Sequence, residues 1–262
     1  MTDLTVDFDA STRRLEAAYL TADVIEQRRQ VVAAMAPAPG EAFLDVGSGP
    51  GLLVADLAAA VGEAGRVCGI DQSEAMVALA RERCSELPQA ELEVADALEL
   101  PYPDGSFDGG VSTQVYEYVA DMPAALAELR RVLRPGGRVG ILDTDYDSLV
   151  LETDDPDLQR RVLVAWDEHF VHRDLPRKLA PLLRRTGFEL REARAIPLLN
   201  LSYDESAFSY HLTRLMASFV AGRAGVSDED AKAWADELAR LDSEGRYFYS
   251  LNRYLFVADR TD

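Results

Sequence analysis

Phe43-Leu44-Asp45-Val46-Gly47-Ser48-Gly49-Pro50-Gly51 decides how the rest of the chain is read. Apolar residues lead into an acid, glycines follow at alternate positions, and Leu53, Leu57 and Ala60 or Val61 then repeat every three to four residues. That order is strand, tight turn, helix. Glycines at such a turn accept backbone angles closed to other residues and let a ligand come close, while the helix start offers unpaired N–H groups. A small-molecule site at this turn is the first expectation.

Working outward, Arg66-Val67-Cys68-Gly69-Ile70-Asp71 is a second short strand ending in an acid, with Asp71 20 residues past Gly51. In a dinucleotide-type fold that interval brings the second strand's carboxylate beside the first turn, where it can accept hydrogen bonds from ribose hydroxyls. Ser73 has the look of an N-cap for a helix over 74–83. Strands follow at 92–97, ending near Asp96, and at 107–113. A helix over 122–134 stops at Pro135-Gly136-Gly137, and a fifth strand over 138–142 ends at Asp143-Thr144-Asp145. The βαβα rhythm predicts a parallel sheet with helices on both faces, and ligands meet such sheets at the carboxyl ends of the strands.

Upstream, the spacing predicts helices over 13–20 and 23–36, closed by Pro37-Ala38-Pro39-Gly40. Tyr19 and Arg28 either face the ligand from an N-terminal lid or pack and pair on their own helices. Downstream, helices are expected over 158–170 and 175–185 and a strand over 188–197. An insertion follows with helices over 208–220 and after Ser227, where Ser227 and Asp230 have capping-box spacing. The last strand is 247–257. An insertion of this size in a compact domain reads as a lid or substrate cap.

Composition narrows the function. The 262 residues are 48% apolar and 28% charged, without the long apolar run of a membrane helix and with no leader-like N-terminus, which places the protein in the cytoplasm. A net charge of −19 opposes phosphate backbones and argues against nucleic acid. The two cysteines, Cys68 and Cys84, suit buried free thiols, and with three scattered histidines they match no metal-ligand spacing. No metal is expected.

The turn itself selects among nucleotide-like ligands. The nicotinamide and flavin fingerprint requires glycine at position 52, where this chain has Leu52, and no Gly-Lys-Ser/Thr follows to make a P-loop. Residues 43–51, 67–79 with Asp71, Asp96-Ala97-Leu98-Glu99-Leu100-Pro101, Ser106-Phe107-Asp108 and Leu129 to Gly137 together resemble class I S-adenosylmethionine-dependent methyltransferases. The branch they resemble holds ubiquinone/menaquinone-biosynthesis-type and related small-molecule enzymes. The resemblance runs unbroken over about residues 40 to 145.

That resemblance implies an α/β fold with a Rossmann-like, doubly wound seven-stranded sheet. The sheet is mostly parallel, and its last strand is antiparallel and inserted between the fifth and sixth. The domains expected are an N-terminal helical lid (1–39), the S-adenosylmethionine-binding domain (40–200 and 246–262) and a helical cap (201–245). Asp45 with the backbone at Gly47, Gly49 and Gly51 would surround the methionine moiety. Asp71 would hold the ribose, with Gln72 beside the adenine. Asp96 and the Ala97 N–H would meet the adenine edge, and Thr113 and Gln114 would flank the sulfonium.

The chemistry expected is in-line displacement at the sulfonium methyl, in which the protein mainly positions and desolvates its ligands. A base is needed only if the acceptor must lose a proton. Acceptor contacts are expected at Tyr116, Glu117 and Tyr118 after the fourth strand, at Asp143 and Asp145 after the fifth, and at His169 or His172. His169 is the candidate base. Relatives often carry Glu-His where this chain has Glu117-Tyr118, which removes a histidine base there. Two rival readings stand beside methyl transfer. One is an enzyme that uses bound S-adenosylmethionine for rearrangement or decarboxylation; the other is a non-enzymatic binding module. The acceptor is a small molecule, and a homodimer is left open.

Overall fold

A computed structural model describes residues 16–262, so the expected helix over 13–20 lies partly outside the described residues; Glu16 to Tyr19 are helical. Along the chain come α1 (Ala22–Met35), β1 (Ala42–Val46), α2 (Leu52–Val61), β2 (Arg66–Asp71), α3 (Glu74–Arg83), β3 (Ala90–Val94) and β4 (Phe107–Thr113). A 3-10 turn (Tyr116–Tyr118) leads into α4 (Met122–Val132), β5 (Leu133–Leu151), α5 (Pro156–Asp167), α6 (Pro176–Arg185) and β6 (Phe188–Asn200). Helices α7 (Phe208–Val220) and α8 (Asp228–Ser243) precede β7 (Tyr249–Arg260). The strands form one mostly parallel seven-stranded sheet with a single antiparallel strand, in the order β3-β2-β1-β4-β5-β7-β6.

The chain divides into two compact units: a sheet unit (27–144, 174–196 and 253–262) and a helical unit (residues up to Glu26, 145–173 and 197–252). These bounds differ from the expected ones. Residues 27–39 group with the sheet, and 145–173 group with the helices of the expected cap.

Alternation along the strands builds two cores in the sheet unit. Leu44, Val46, Cys68, Ile70, Val139 and Ile141 cluster with α4 and α6. Phe43, Val67, Leu142 and Leu255, at the intervening positions, cluster with α1 and α2. A period of two puts successive side chains on opposite faces, so each face receives its own helix layer. The helical unit has a third core, in which Trp166, Met216, Trp234 and Leu238 are buried from α5, α7 and α8.

Two expected caps are present. The Ser73 hydroxyl accepts the Met76 N–H at 3.2 Å. The Ser227 hydroxyl accepts the Asp230 N–H, and the Asp230 carboxylate accepts the Ser227 N–H. The fifth strand is longer than 138–142. Phe107 pairs with Leu133 and Gly109 with Arg138, so residues 134–137 bulge from the ladder and pairing resumes after them. Pro135 and the positive φ of Gly136, 72°, which stop α4, shape that bulge. Among the described residues no helix is long and apolar enough to cross a membrane.

Candidate functional site

At the carboxyl end of β1 the chain turns through Gly47, Gly49 and Gly51, all at positive φ, and enters α2. The N–H groups of Gly47 and Ser48 both donate to the Ile70 carbonyl at 2.8 Å, which ties the turn to the end of β2. The Asp71 carboxylate is the second tie. One oxygen accepts the Gly49 N–H and the other the Ser73 N–H, each at 2.9 Å.

The glycines differ in what surrounds them. A Cβ on Gly47 would lie 2.1 Å from Val115 Cγ2, and one on Gly51 would lie 2.9 Å from Ala80 Cβ. A Cβ on Gly49 would meet nothing within 4 Å. Gly47 and Gly51 are therefore glycines by close packing, whereas Gly49 faces open space.

Asp45, in β1, is 1% exposed, and its Oδ1 has no hydrogen-bond partner. Burial, reinforced by the nearby Asp71 charge, pushes its carboxyl up to about 8. At neutral pH the acid is held protonated, and a cation placed beside it would favour the ionised form.

Beyond β4 the backbone is strained where the chain leaves the sheet. Gln114 has φ 58°, and its N–H donates to the Leu142 carbonyl at 2.7 Å. Its side-chain amide reaches the Thr144 hydroxyl at 3.4 Å. Strain at a strand end, held by its surroundings, is a feature of functional turns. Val115 packs over Gly47, and Tyr116 and Glu117 are buried directly after it.

Glu117 Oε2 accepts the Thr144 N–H at 3.3 Å. Asp143, fully buried in β5, lies close enough for the two acids to act on each other. Both carboxyls are raised, chiefly by burial. The Glu117 charge adds to the effect on Asp143, while the Arg253 guanidinium opposes it for both. Arg253, fully buried in β7, donates to the Gln27 side-chain carbonyl of α1.

Arg253 and Gln27 are absent from the sequence expectations. Strand β7 buries Tyr249, Leu251, Arg253 and Leu255 at alternate positions, and a cation in that inward series is the signal that could have revealed Arg253.

The sheet unit thus contains Asp45, the three glycines, Asp71, Gln72, Asp96, Ala97, Thr113, Gln114, Tyr116, Tyr118, Asp143 and Arg28. Asp71 joins the glycine turn directly. Asp96 is exposed, and its Oδ1 accepts the Leu98 N–H in its own turn at 2.8 Å. Gln72 is exposed and Ala97 buried. Arg28 Nε pairs with Asp56 of α2 at 3.2 Å.

Tyr19, Asp145, His169 and His172 belong to the helical unit. Asp145 Oδ1 accepts the Asp147 N–H at 3.2 Å. His169 is buried among aromatic rings, its ring centroid 4.5 Å from Trp166 and 5.2 Å from Phe219. Burial, with the Arg223 charge, lowers it to about 3, which makes the ring a weak proton acceptor at neutral pH.

Comparison with known proteins matches part of this chain to a family. A family model described as a methyltransferase domain matches residues 44–141, the stretch from β1 into β5 that carries the glycine turn and the strand-end acids. Over that stretch the chain carries a domain of the methyltransferase family. It is 36% identical over 253 residues to an uncharacterized 37.1 kDa protein in transposon TN4556 of Streptomyces fradiae, covering 94% of this chain and 72% of that one.

It is 37% identical over 143 residues to a 2-phytyl-1,4-naphtoquinone methyltransferase of Synechococcus elongatus, covering 53% of this chain and 61% of that enzyme. The match therefore spans about three fifths of that relative's length. Among solved structures, the cyclase SpnF superposes with a TM-score of 0.64 at 21% identity, covering 97% of this chain and 93% of that one. At that identity the likeness establishes the Rossmann-like fold alone.

Proposed function

We propose that this protein moves a methyl group from S-adenosylmethionine to a small organic acceptor by direct in-line displacement. The observation that carries the reading is the joint between Asp71 and the glycine turn. The carboxylate at the end of β2 is fixed by the N–H groups of Gly49 and Ser73, beside a glycine whose α-carbon faces open space.

The residues present fit the cofactor. A carboxylate has about four acceptor positions, so Asp71 retains capacity for ribose hydroxyls after accepting two N–H groups. The buried, unpartnered Oδ1 of Asp45 suits the ammonium of the methionine moiety. Gly47 and Gly51 give backbone to the same moiety. Gln72, Asp96 and the Ala97 N–H are assigned to the adenine, and Thr113 and Gln114 to the sulfonium end. Tyr116, Tyr118 and Asp143, of the same unit, are assigned to the acceptor side.

Bound S-adenosylmethionine supplies an electrophilic methyl on a positively charged sulfur. The work left to these residues is to hold the acceptor in line and to keep water out. The naphthoquinone enzyme named above supports an acceptor of mid-sized organic type.

Calorimetry with S-adenosylmethionine and S-adenosylhomocysteine, followed by a small-molecule acceptor screen read by mass, tests the proposal. A product heavier by one methyl group, formed with one equivalent of S-adenosylhomocysteine, is the expected result. No heat with either ligand would leave only a binding module for something else. An altered product of unchanged mass, with the cofactor recovered intact, would favour rearrangement or decarboxylation.

A further inference from the structure

The buried acids after β4 and β5 are not explained by cofactor binding. Enclosing two carboxyls costs several kcal/mol per ion unless the charges are paired, and apolar residues of similar volume would do as well structurally. Glu117 and Asp143 are nevertheless both buried and, among the described residues, Arg253 is the cation that acts on both, one positive charge for two carboxyls. With one proton held on the pair, one carboxylate is left to accept another.

Glu117 Oε1 has no partner, and the N–H groups of Val115 and Glu117 face Asp143. The side chain of the half-buried Tyr118 hydrogen-bonds the Glu117 carboxylate, which links a partly exposed residue to acids that are fully buried. Among the described residues the groups acting on the pair are Arg253 from β7, Tyr116 and Tyr118 from the turn with the Val115 and Glu117 N–H groups, and the Thr144 N–H from β5. Gln27 of α1, which holds Arg253, is neutral.

We propose that Tyr118, Glu117 and Asp143 form a proton-accepting relay, and that the methyl acceptor is therefore an O–H acid of the phenol or enol class. The inference rests on the methyl-transfer reading. The acceptor oxygen bonds to the methyl carbon as the sulfur–carbon bond breaks and its electron pair returns to sulfur. The acceptor's proton passes to the Tyr118 oxygen while the Tyr118 proton passes to the carboxylate of the pair. The positive charge lost from sulfur reappears as that proton, which later leaves to solvent. Transfer from one phenol to another is nearly balanced in energy, which suits a tyrosine to this acceptor class.

The test uses the full chain and the variants Y118F, E117Q and D143N. Infrared spectra are taken across neutral pH without any ligand. Asp45 contributes a buried-carboxyl band that Asp45→Asn removes; in that background a second carbonyl band is expected, abolished or shifted by E117Q and D143N and shifted by Y118F. A second band that is absent, or identical with and without these substitutions, overturns the relay.

Methyl transfer is then compared between 1,4-dihydroxynaphthalene and dimethyl selenide, an acceptor with no proton to lose. The ratio of the two rates is expected to fall at least about a hundredfold in Y118F and E117Q. An unchanged ratio overturns the relay, because a merely structural role slows both acceptors alike. Failure of the wild type to bind S-adenosylhomocysteine would instead overturn the methyl-transfer reading, and the carboxyl band is measured either way.

Discussion

Gly47→Ala and Gly49→Ala add the same methyl group two residues apart in one turn, and the structure separates their consequences. Both positions have positive φ, 73° and 50°, where an L side chain costs about 1–2 kcal/mol. The entropy removed from the unfolded chain returns about 0.4–1 kcal/mol of that. For Gly49→Ala the account ends there, because nothing lies within 4 Å of the new atom, and a loss of about 1 kcal/mol is expected.

At Gly47 the new methyl lies 2.1 Å from Val115 Cγ2 and 2.8 Å from Cγ1. Valine is stiff about its first side-chain bond, so it yields only by moving the turn that carries it. Overpacking of this kind adds about 1–3 kcal/mol, for a total of about 2–4 kcal/mol. Urea unfolding of the two variants and of Gly47→Ala/Val115→Ala measures this, with equal m-values as the check that only stability has changed. The double variant should regain the overpacking part relative to the sum of its singles.

Ligand binding should rank the other way among folded proteins. The Gly49 methyl enters the open space assigned to the cofactor, and S-adenosylhomocysteine affinity should drop by at least about tenfold, or 1.4 kcal/mol. Equal stability losses at the two glycines, or no recovery with Val115→Ala, would refute the packing argument. Full affinity in Gly49→Ala would show that the ligand lies elsewhere.

Three further outcomes follow from the buried titratable groups. Folded protein holds a proton on Asp45 up to about 8, whereas the unfolded chain releases it near 3.8, so this group lowers stability as pH rises between those values. Asp45→Asn should gain on the wild type across that window by up to about 1.4 kcal/mol per pH unit and level off above it; parallel stability curves would rule this out. Arg253→Met should cost about 3–5 kcal/mol at neutral pH by leaving two buried acids without their cation, less in acid, and E117Q in the same chain should restore part of it. His169, lowered from 6.5 to about 3, makes the folded state lose stability as pH falls through that interval, because only the unfolded chain takes the proton. Thermal melts of His169→Phe should show a flatter acid limb than the wild type, and an unchanged limb would place the acid sensitivity in another group.

The sequence alone determined the glycine turn and the strand ends to which the donor is assigned. Its signals are local: glycines that must turn, acids at strand ends, periods of two and 3.6, and the interval from Gly51 to Asp71. The elements from β1 to β4 and the helices they implied could be read because each pattern is complete within a dozen residues, as could the caps at Ser73 and Ser227, although β3 runs over Ala90–Val94 and not 92–97, which leaves Asp96 in the turn after it. Even here local reading had limits. The bulge at residues 134–137 let β5 run over Leu133–Leu151, beyond its expected bounds.

Only the tertiary structure decided which buried charges meet. Glu117, Asp143 and Arg253 come from three segments, and Arg253 reaches Gln27 across 226 residues of sequence. No local period encodes that meeting. It follows from β7 entering the sheet between β5 and β6, which sets the inward side of the last strand beside the ends of β4 and β5. The distinction between Gly47 and Gly49 is of the same kind. Both are glycines in the same turn, and only the position of Val115, more than sixty residues later, makes one a packing requirement and leaves the other facing open space.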